Sequence, residues 1–336
     1  MLIRLTALGD VVLVEPVARA LRQRFEGVEI VLVTEARYAA LCREGGAYDR
    51  VVGWDRRGED SGWSGITRVL GRLDGRYDCV IDLQGKLRTR ILAWRLRANA
   101  RRTLRKRTPL QALAALLGHD PPLADRHAVD VYMGALSGLG VRLQGSSAPR
   151  LALPRGPHRE AGRRVGLCAG TTHATKRWPA ERFARLADEI CQRDPDAEVV
   201  LIGGPTDRET LDAIRSEVRQ ARLQPVNTEG LDVAALAAFI ATLDVFIGVD
   251  SGPAHLAAAS GVPVIALFGP TSSVRWGPRG DRHQVVSLGL DCAPCSNVGG
   301  PTCPRADRAH ACMQQLPVTA VLEAYDRVPR EASSDG

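Results

Sequence analysis

The stretch Val249-Asp250-Ser251-Gly252-Pro253-Ala254-His255 lies between two short apolar runs, residues 244–249 (DVFIGV) and 262–268 (VPVIALF). Short apolar runs rich in β-branched residues are typical of buried parallel strands. A serine, a glycine and a proline follow the first run; they suit a helix cap, close backbone approach and a first helical position, respectively. The stretch therefore predicts a strand, a turn and a helix. In an open α/β sheet such a helix begins at the ligand crevice, and its free N–H groups favour an anion there.

The same alternation of strand and helix extends in both directions from this stretch. In the first half, the pattern predicts strands over residues 2–5, 29–33, 50–53 and 77–83 and helices over residues 11–24, 36–42, 66–73 and 86–98. In the second half, it predicts further strands over residues 164–168 and 198–202 and helices over residues 180–191, 207–219, 233–241 and 317–325. Alternation of this kind predicts an α/β fold with doubly wound parallel sheets.

A linker is predicted near the middle of the chain. Residues 138–163 are rich in Gly, Ser and Pro, which is the composition of a connecting segment. A chain of 336 residues is long enough for two domains, each with its own core. We therefore predict a Rossmann-like domain over residues 1–150, a second over residues 151–330 and a disordered tail over residues 331–336.

Positive charge is concentrated in the first half of the chain. Lys and Arg outnumber Asp and Glu by 26 to 16 in residues 1–155, whereas acidic residues are in excess by 22 to 19 in the remainder. No acidic residue occurs between Asp82 and Asp120, and ten Lys and Arg residues lie in the basic segment, residues 86–107. Such a field favours a polyanionic partner. Nucleic acid is disfavoured, because the segment has a single aromatic residue, Trp94, and no groove-reading motif.

Neither a signal peptide nor a membrane span is predicted. Arg4, Asp10 and Glu15 interrupt the apolar start of the chain, and the most apolar window, residues 253–269, is shorter than a bilayer-spanning helix. We expect a cytoplasmic protein that contacts the inner face of the plasma membrane only peripherally.

Several motifs together resemble the glycosyltransferase family 9 enzymes, the ADP-heptose:lipopolysaccharide heptosyltransferases. The matching motifs are Leu8-Gly9-Asp10, Thr171-Thr172, Lys176-Arg177-Trp178-Pro179, Asp250-Ser251-Gly252-Pro253-Ala254-His255 and Gly269-Pro270-Thr271. The resemblance implies a GT-B fold in which two Rossmann-like domains face a central cleft, the first binding the acceptor and the second the nucleotide sugar. It also implies inverting transfer of a heptose from ADP-heptose to the lipopolysaccharide inner core.

Asp10 follows the first predicted strand, which places it at the carboxyl edge of its sheet. Two roles are open: it can cap the following helix, or it can accept a proton from an acceptor hydroxyl as a general base. The two roles are compatible, because N–H donors keep a carboxylate ionised. The resemblance favours the catalytic role, since the family's base occupies the matching position.

The second half supplies candidates for binding the donor. Thr171, Thr172 and Lys176 follow the predicted strand at residues 164–168, so two hydroxyls and an ammonium are available to a diphosphate. A capped loop with a solvated lysine is the alternative interpretation. Ser251 and Gly252 are predicted to present N–H groups to the same diphosphate.

Further donor contacts are predicted around these residues. Asp250 is a catalytic candidate together with Lys176, because a carboxylate stabilises a positively charged anomeric carbon. His255 is either a donor-site residue or a packed core histidine. An acidic residue near residues 207–209 is expected to bind the ribose hydroxyls, as the resemblance implies, and Glu209 is ranked above Asp207.

Lys86, Arg88 and Arg90 are the predicted acceptor-binding residues. The guanidinium fork suits the paired oxygens of the phosphates and sugar acids in lipid A and the inner core. The alternative is a solvated basic face. The same cations predict contact with an anionic membrane leaflet.

Four cysteines, Cys292, Cys295, Cys303 and Cys312, form a C-x2-C-x7-C-x8-C pattern close to His310. The first pair has metal-ligand spacing and the second does not, so reduced structural thiols are predicted ahead of a zinc site. No metal is predicted to be required. The sequence has no aspartate pair suited to a divalent ion, and any Mg²⁺ stimulation should be modest.

Two other classes of function stay open at this point. A nucleotide-sugar isomerase or hydrolase on the same fold would need no acceptor. A non-catalytic protein that binds polyanions would satisfy the charge distribution but would have no tight, nucleotide-specific donor site.

Overall fold

The computed structural model describes residues 1–104, 126–154, 162–221, 223, 228 and 230–329. The predicted tail at residues 331–336 lies outside the described residues, as do Arg105, Lys106 and Arg107 of the basic segment. The described chain forms two compact units; the first ends at Leu153 and the second begins at Pro154. Each unit contains one five-stranded sheet.

The sheet of the first unit is parallel throughout and has the strand order β3-β2-β1-β4-β5. Its strands are β1 (Leu2–Ile3), β2 (Val31–Glu35), β3 (Arg50–Trp54), β4 (Tyr77–Asp82) and β5 (Ala98–Thr103). The chain runs outward from β1 to β3 and then returns to place β4 on the other side of β1. This reversal creates a switch point between β1 and β4, where a crevice opens at the carboxyl ends of the strands.

Six α-helices are described in the first unit: α1 (Leu8–Val12), α2 (Glu15–Arg24), α3 (Ala39–Glu44), α4 (Ser64–Gly71), α5 (Leu87–Arg95) and α6 (Ala128–Met133). Because crossover connections are right-handed, the reversal after β3 puts α4 and α5 on the opposite face of the sheet from α2 and α3. The apolar side chains of α4 and α5, including Ile66, Val69 and Leu92, pack with those of β1 to β4 in one core.

The sheet of the second unit is also parallel, with the order β10-β9-β8-β6-β7. Its strands are β6 (Arg164–Cys168), β7 (Glu198–Ile202), β8 (Val245–Val249), β9 (Val264–Leu267) and β10 (Gln284–Val286). The described α-helices are α7 (Ala180–Arg193), α8 (Arg208–Glu217), α9 (Val233–Ile240), α10 (Gly252–Ala259), α11 (Ser273–Trp276), α12 (Ala311–Gln314) and α13 (Val318–Asp326). The switch point lies between β6 and β8. The stretch at residues 249–255, with the apolar run before it, forms β8, a turn and the start of α10, as predicted.

The prediction of one helix over residues 11–24 is wrong. The chain forms α1 from Leu8 and a separate helix, α2, whose second residue is Pro16. Proline has no N–H group, and its ring collides with the carbonyl group four residues earlier, so a helix cannot run unbroken through Val12 and Pro16.

The prediction of a helix over residues 86–98 is too long at its carboxyl end. α5 ends at Arg95, and Ala98–Thr103 forms β5, which pairs with β4 at the sheet edge. Among the described residues β5 pairs with β4 alone, which suits the polar composition of an edge strand, and its exposure alternates along its length. Arg101 on this strand donates through Nε to the Ala93 carbonyl group at 2.8 Å, near the end of α5.

In the described ranges, no helix is both long enough and apolar enough to cross a membrane.

Candidate functional site

In the first unit, Asp10 lies in α1 just beyond β1, and three donors hold its carboxylate. Oδ2 accepts the Ala7 N–H at 3.0 Å and pairs with Arg4 Nη2 at 2.5 Å, while the Tyr132 hydroxyl donates to Oδ1. The Asp10 side chain nevertheless keeps 16% of its surface exposed. Asp10 therefore caps α1 from within its first turn, through the Ala7 N–H, whereas the sequence predicted that it would precede a helix beginning at Val11; the carboxylate still reaches solvent.

Arg4 is the buried partner of Asp10. Its Nη1 donates to the Leu83 carbonyl group at 2.6 Å, and its guanidinium lies 5.1 Å from the centre of the Tyr132 ring. Burial alone would lower the pKa of Arg4, but the charges of Tyr132 and Asp10 raise it above its ordinary value. Arg4 therefore stays charged and fixes one side of the carboxylate.

The loop that follows β4 is hydrogen-bonded to the loop that follows β1, beside Asp10. The Gln84 side-chain oxygen accepts the N–H groups of Leu5 and Thr6 at 3.1 and 3.2 Å, which joins the β1 loop to the β4 loop. Asp82 accepts the N–H groups of Gln84 and Gly85 at 3.0 and 2.9 Å. Burial raises the pKa of Asp82, partly offset by these hydrogen bonds and one from Thr89. These contacts fix the backbone on both sides of the switch point.

In the second unit, Lys176 and Asp250 meet across the switch point between β6 and β8. Lys176 Nζ lies 2.7 Å from Asp250 Oδ2, and both side chains are buried. The Thr271 hydroxyl donates to the same Oδ2 at 2.6 Å. Three loops, following β6, β8 and β9, therefore converge on one carboxylate oxygen.

The first turn of α10 lies directly after Asp250. Ser251 occupies the N-cap position, yet its side chain makes no capping hydrogen bond, and Pro253 lies in the first turn. The N–H groups of this eight-residue helix are thus not taken up by the cap residue, and they carry the positive end of the helix dipole. His255, one turn into α10, is buried.

The loop after β6 contains the other predicted phosphate ligands. Thr171 is half-buried and its hydroxyl accepts the His173 N–H at 3.3 Å, while Thr172 is exposed. Lys176 ends a 3-10 turn, Ala174–Lys176. His173, which sequence reasoning missed, is close to both charged residues. Burial and the Lys176 ammonium lower its pKa, and Asp250 opposes them.

A glycine-rich segment braces this loop from behind. The Thr175 N–H donates to the Gly300 carbonyl group at 3.2 Å, and the Gly300 N–H donates back to the Thr175 hydroxyl at 2.9 Å. The N–H groups of Cys295 and Ser296 both donate to the Pro270 carbonyl group at 2.9 Å. The cysteine-bearing segment therefore supports two of the three loops that meet at Asp250.

The two candidates for ribose binding have different surroundings. Asp207 caps the turn before α8 by accepting the Gly204 N–H at 2.8 Å, and it lies against Gly170 and Gly203 at the ends of β6 and β7. Glu209 is exposed in the first turn of α8. The ranking of Glu209 above Asp207 stays a prediction.

Lys86, Arg88 and Arg90 lie at the start of α5. Lys86 is the N-cap residue, and its N–H donates to the Thr89 hydroxyl at 3.1 Å. Lys86 and Arg90 are exposed and Arg88 is half-buried. A role in acceptor binding stays a prediction.

Cys292, Cys295, Cys303 and Cys312 line one small cavity with His310. All four are free thiols. Burial, together with the other cysteines, raises the pKa of Cys295 and brings that of Cys312 to about 11. Among the described residues, no three His, Cys, Asp or Glu side chains are arranged to hold a metal ion. The ranking of reduced structural thiols ahead of a zinc site stays a prediction.

Comparison with known proteins gives the family of the chain. The family model described as glycosyltransferase family 9 (heptosyltransferase) matches residues 66–302, which is well over half of the chain. The chain belongs to glycosyltransferase family 9. The predicted resemblance is therefore confirmed, and so is the predicted class of enzyme, a glycosyltransferase.

Individual relatives agree with this family 9 assignment. The chain is 29% identical over 324 residues to lipopolysaccharide heptosyltransferase 1 of Pseudomonas aeruginosa, covering 88% of this chain and 85% of that protein. Among solved structures, a family 9 glycosyl transferase from Veillonella parvula matches with a TM-score of 0.78 at 23% identity, covering 97% and 96% of the two chains. The E. coli heptosyltransferase WaaC with ADP-2-deoxy-2-fluoro heptose matches with a TM-score of 0.69 at 22% identity, covering 97% and 98%. The fold of two parallel five-stranded sheets is GT-B-like, as predicted.

Sequence reasoning on this family 9 chain found the carboxylates but missed most of their partners. Thr271 carried a signal, because it is the polar residue of the Gly269-Pro270-Thr271 motif that ends the predicted strand at residues 262–268. Arg4 carried a weaker one, as an arginine within an apolar run. Tyr132 carried none, since 122 positions separate it from Asp10.

Proposed function

We propose that this chain is an inverting glycosyltransferase that transfers a heptose from ADP-heptose to the inner core of lipopolysaccharide. The observation that carries the proposal is the Lys176–Asp250–Thr271 contact beside the first turn of α10. It puts an ammonium, a carboxylate and helix N–H groups where an open α/β sheet binds its ligand. The family and the WaaC and Pseudomonas relatives support the choice of a heptose donor and a lipopolysaccharide acceptor.

The donor diphosphate is assigned to the second unit. Lys176, the hydroxyls of Thr171 and Thr172, and the N–H groups at Ser251 and Gly252 stabilise the charge that builds on the leaving ADP. Lys176 is a compact cation on a flexible stem, so it can turn from Asp250 toward a phosphate oxygen. Asp250 then faces the sugar, where its negative charge stabilises the oxocarbenium character of the anomeric carbon.

The remaining donor contacts are peripheral to this centre. His255, buried in α10, is proposed to support the diphosphate site. Glu209 is proposed to accept hydrogen bonds from the ribose hydroxyls, with Asp207 as the alternative. No divalent ion is required in this scheme, because Lys176 and the helix N–H groups supply the positive charge.

Asp10 is the proposed base. The acceptor oxygen forms the new bond to the anomeric carbon while the bond from that carbon to the β-phosphate oxygen breaks. The acceptor proton passes to Asp10, and the electron pair of the broken bond leaves on ADP. Attack from the face opposite the leaving group inverts the anomeric configuration. Lys86, Arg88 and Arg90 are proposed to hold the anionic acceptor.

The test is the variant Asp10→Asn, assayed with donor and acceptor. We expect turnover to fall about 100- to 10,000-fold, the usual contribution of a positioned general base. Donor affinity, measured by calorimetry, should stay within about twofold of wild type, since the donor contacts are in the second unit. Glu15→Gln is the matched control, because Glu15 also pairs with an arginine, Arg19, at 2.9 Å in the same unit. Near-normal turnover of Asp10→Asn with intact donor binding would refute the base assignment.

A second measurement tests the stereochemistry. Proton NMR of the product reports the anomeric configuration directly, and inversion relative to the donor is the expected result. A product with retained configuration would contradict a single displacement, because retention requires a second one.

A further inference from the structure

The helix α5 exposes two large apolar side chains on one face. Leu87 is 66% exposed and Trp94 is 76% exposed, whereas most apolar residues of this unit are buried. Residues seven positions apart lie on the same face of a helix, two turns from each other. Leu87 and Trp94 therefore form an apolar ridge along α5.

This ridge is held on a rigid element. The opposite face of α5 packs Leu92 and Ala93 into the core of the first unit with Val80. The carboxyl end of the helix receives hydrogen bonds from Arg101, which donates to the carbonyl groups of Ala93 and Leu96. Because the inner face is fixed, the exposed side chains cannot turn inward without disrupting the core.

Basic side chains flank the ridge along the helix. Lys86, Arg88, Arg90 and Arg95 lie on α5 or at its N-cap, and no acidic residue occurs between Asp82 and Asp120. A soluble polyanion would satisfy these charges but would leave the indole and the leucine side chain in water. A membrane interface accommodates both the cations and the apolar side chains. The apolar side chains enter the boundary between headgroups and acyl chains, while the cations contact the lipid phosphate groups.

The length of α5 fixes its orientation at such an interface. Nine residues rise only about 13 Å, less than half the hydrocarbon thickness, so the helix can lie along the surface but cannot cross it.

We propose that α5 docks this protein onto an anionic lipid bilayer, with Leu87 and Trp94 inserted and Lys86, Arg88, Arg90 and Arg95 against the headgroups. The inference deepens the proposed function, because the proposed acceptor is an anionic glycolipid of a membrane. It does not depend on the identity of the donor.

The experiment is flotation of the full-length protein with phosphatidylcholine vesicles, with and without about 30% phosphatidylglycerol. Wild-type protein should float with the anionic vesicles only, and about 0.5 M salt should release most of it, since that concentration screens surface charge. Trp94→Ala and Arg95→Glu should each weaken partitioning about tenfold. Brominated lipids should quench wild-type tryptophan emission and leave that of Trp94→Ala unchanged.

Matched controls lie on the other face of the same sheet. Arg43 is in the last turn of α3 as Arg95 is in the last turn of α5, so Arg43→Glu makes the same charge reversal at the same helical position. Phe25→Ala removes an exposed aromatic residue that follows α2. Both controls should bind vesicles like wild type. Equal binding of wild type to neutral and anionic vesicles, or wild-type binding by Trp94→Ala and Arg95→Glu, would overturn the proposal.

A soluble, delipidated acceptor separates docking from transfer. Trp94→Ala should keep the wild-type rate with that acceptor and lose rate only with acceptor presented in vesicles. A loss with the soluble acceptor would place Trp94 in the acceptor site beside Lys86, Arg88 and Arg90 and overturn its insertion into a membrane. Vesicle binding without any transferase activity would leave docking intact and refute the proposed function instead.

Discussion

At the residue scale, the two candidate carboxylates have the same kind of surroundings but different cations. Asp10 holds Arg4 and the Tyr132 hydroxyl, and Asp250 holds Lys176 and the Thr271 hydroxyl. Arginine offers a rigid fork that is always charged, whereas lysine is a point charge that moves on its stem. We infer that Arg4 fixes its carboxylate permanently and that Lys176 is shared between Asp250 and an incoming phosphate.

The buried pair in the first unit predicts a large effect of Arg4 on stability. Arg4→Leu should lower the free energy of unfolding by about 3–5 kcal/mol, because Asp10 loses its charge partner and the buried Leu83 carbonyl group loses its donor. Urea denaturation followed by circular dichroism measures the change. The control is Arg50→Leu, which removes a surface pair whose Asp74 partner is 84% exposed and should cost no more than about 1 kcal/mol. Similar losses for the two variants would contradict this account.

The sequence predicted the carboxylates because Asp250 comes directly after an apolar strand and Asp10 follows one after a short loop, so both lie near the carboxyl edge of a parallel sheet. It could not predict Tyr132 as a partner of Asp10, because the contact depends on how α6 packs against the β1 loop. Sequence patterns carry local geometry and periodicity, but they do not carry the packing of distant elements.

At the element scale, Gly299 allows the glycine-rich segment to pack closely against the loop after β6, which carries His173 and Lys176. Gly299 has φ +93°, and a Cβ there would lie 2.9 Å from both His173 Cβ and Lys176 Cε. Gly299→Ala should therefore push Lys176 out of place and weaken donor binding about tenfold, or 1.4 kcal/mol. Calorimetric titration with the donor measures this loss.

Gly289→Ala is the control for backbone strain. Gly289 also has a positive φ, +63°, but no atom of the described residues lies within 4 Å of a Cβ at that position. Both variants should lose stability through the unfavourable backbone conformation, and only Gly299→Ala should lose donor affinity. Equal donor affinities for the two variants would show that the contact with Lys176 is unimportant.

We expect His283, which lies just before β10 and contacts β9, to make the stability of the second unit sensitive to acid. His283 accepts the Val264 N–H at 3.3 Å, and burial, with a contribution from Arg282, lowers its pKa to about 4. Its pKa in the unfolded chain is about 6.5, so between these values the unfolded state binds more protons and stability falls as the pH falls. His283→Asn keeps an acceptor but cannot charge. Urea denaturation between pH 6.5 and 4 measures how the free energy of unfolding changes with pH. The slope for the wild type should exceed that for the variant by up to about 1.4 kcal/mol per pH unit. Parallel curves for the two proteins would rule out this role for His283.

Element boundaries were predicted well where an apolar run ends in a clear turn signal, and poorly where that signal is missing or lies inside the run. β8 and α10 came from the apolar run and the Ser-Gly-Pro turn. β5 was missed because Asn99, Arg101 and Arg102 give an edge strand the composition of a loop. The break between α1 and α2 was missed because Pro16 lies inside an otherwise continuous apolar pattern.

At the scale of the whole molecule, the two units repeat one plan. In the first unit β1 lies between β2 and β4, and in the second β6 lies between β7 and β8. In each unit the chain reverses direction across the sheet before the second of these neighbours, and the polar cluster lies at the carboxyl ends of the two strands at the switch point. This plan was predictable, because alternating strands and helices admit few topologies and right-handed crossovers restrict them further. The assignment of acceptor and donor to the two units stays a prediction.

Nucleotide binding provides the test of that assignment. ADP should slow amide hydrogen exchange in the second unit, at residues 169–177, 251–255 and 269–273, because the proposed phosphate ligands lie there. At about 100 times its dissociation constant, ADP stabilises the bound state by about 2.7 kcal/mol, enough for a clear change in exchange. Adenosine is the control ligand, since it lacks the phosphates and should protect these segments far less. If protection by ADP centred instead on residues 4–12 around Asp10, the donor would belong to the first unit. The roles proposed for Lys176 and the N-terminus of α10 would then be wrong.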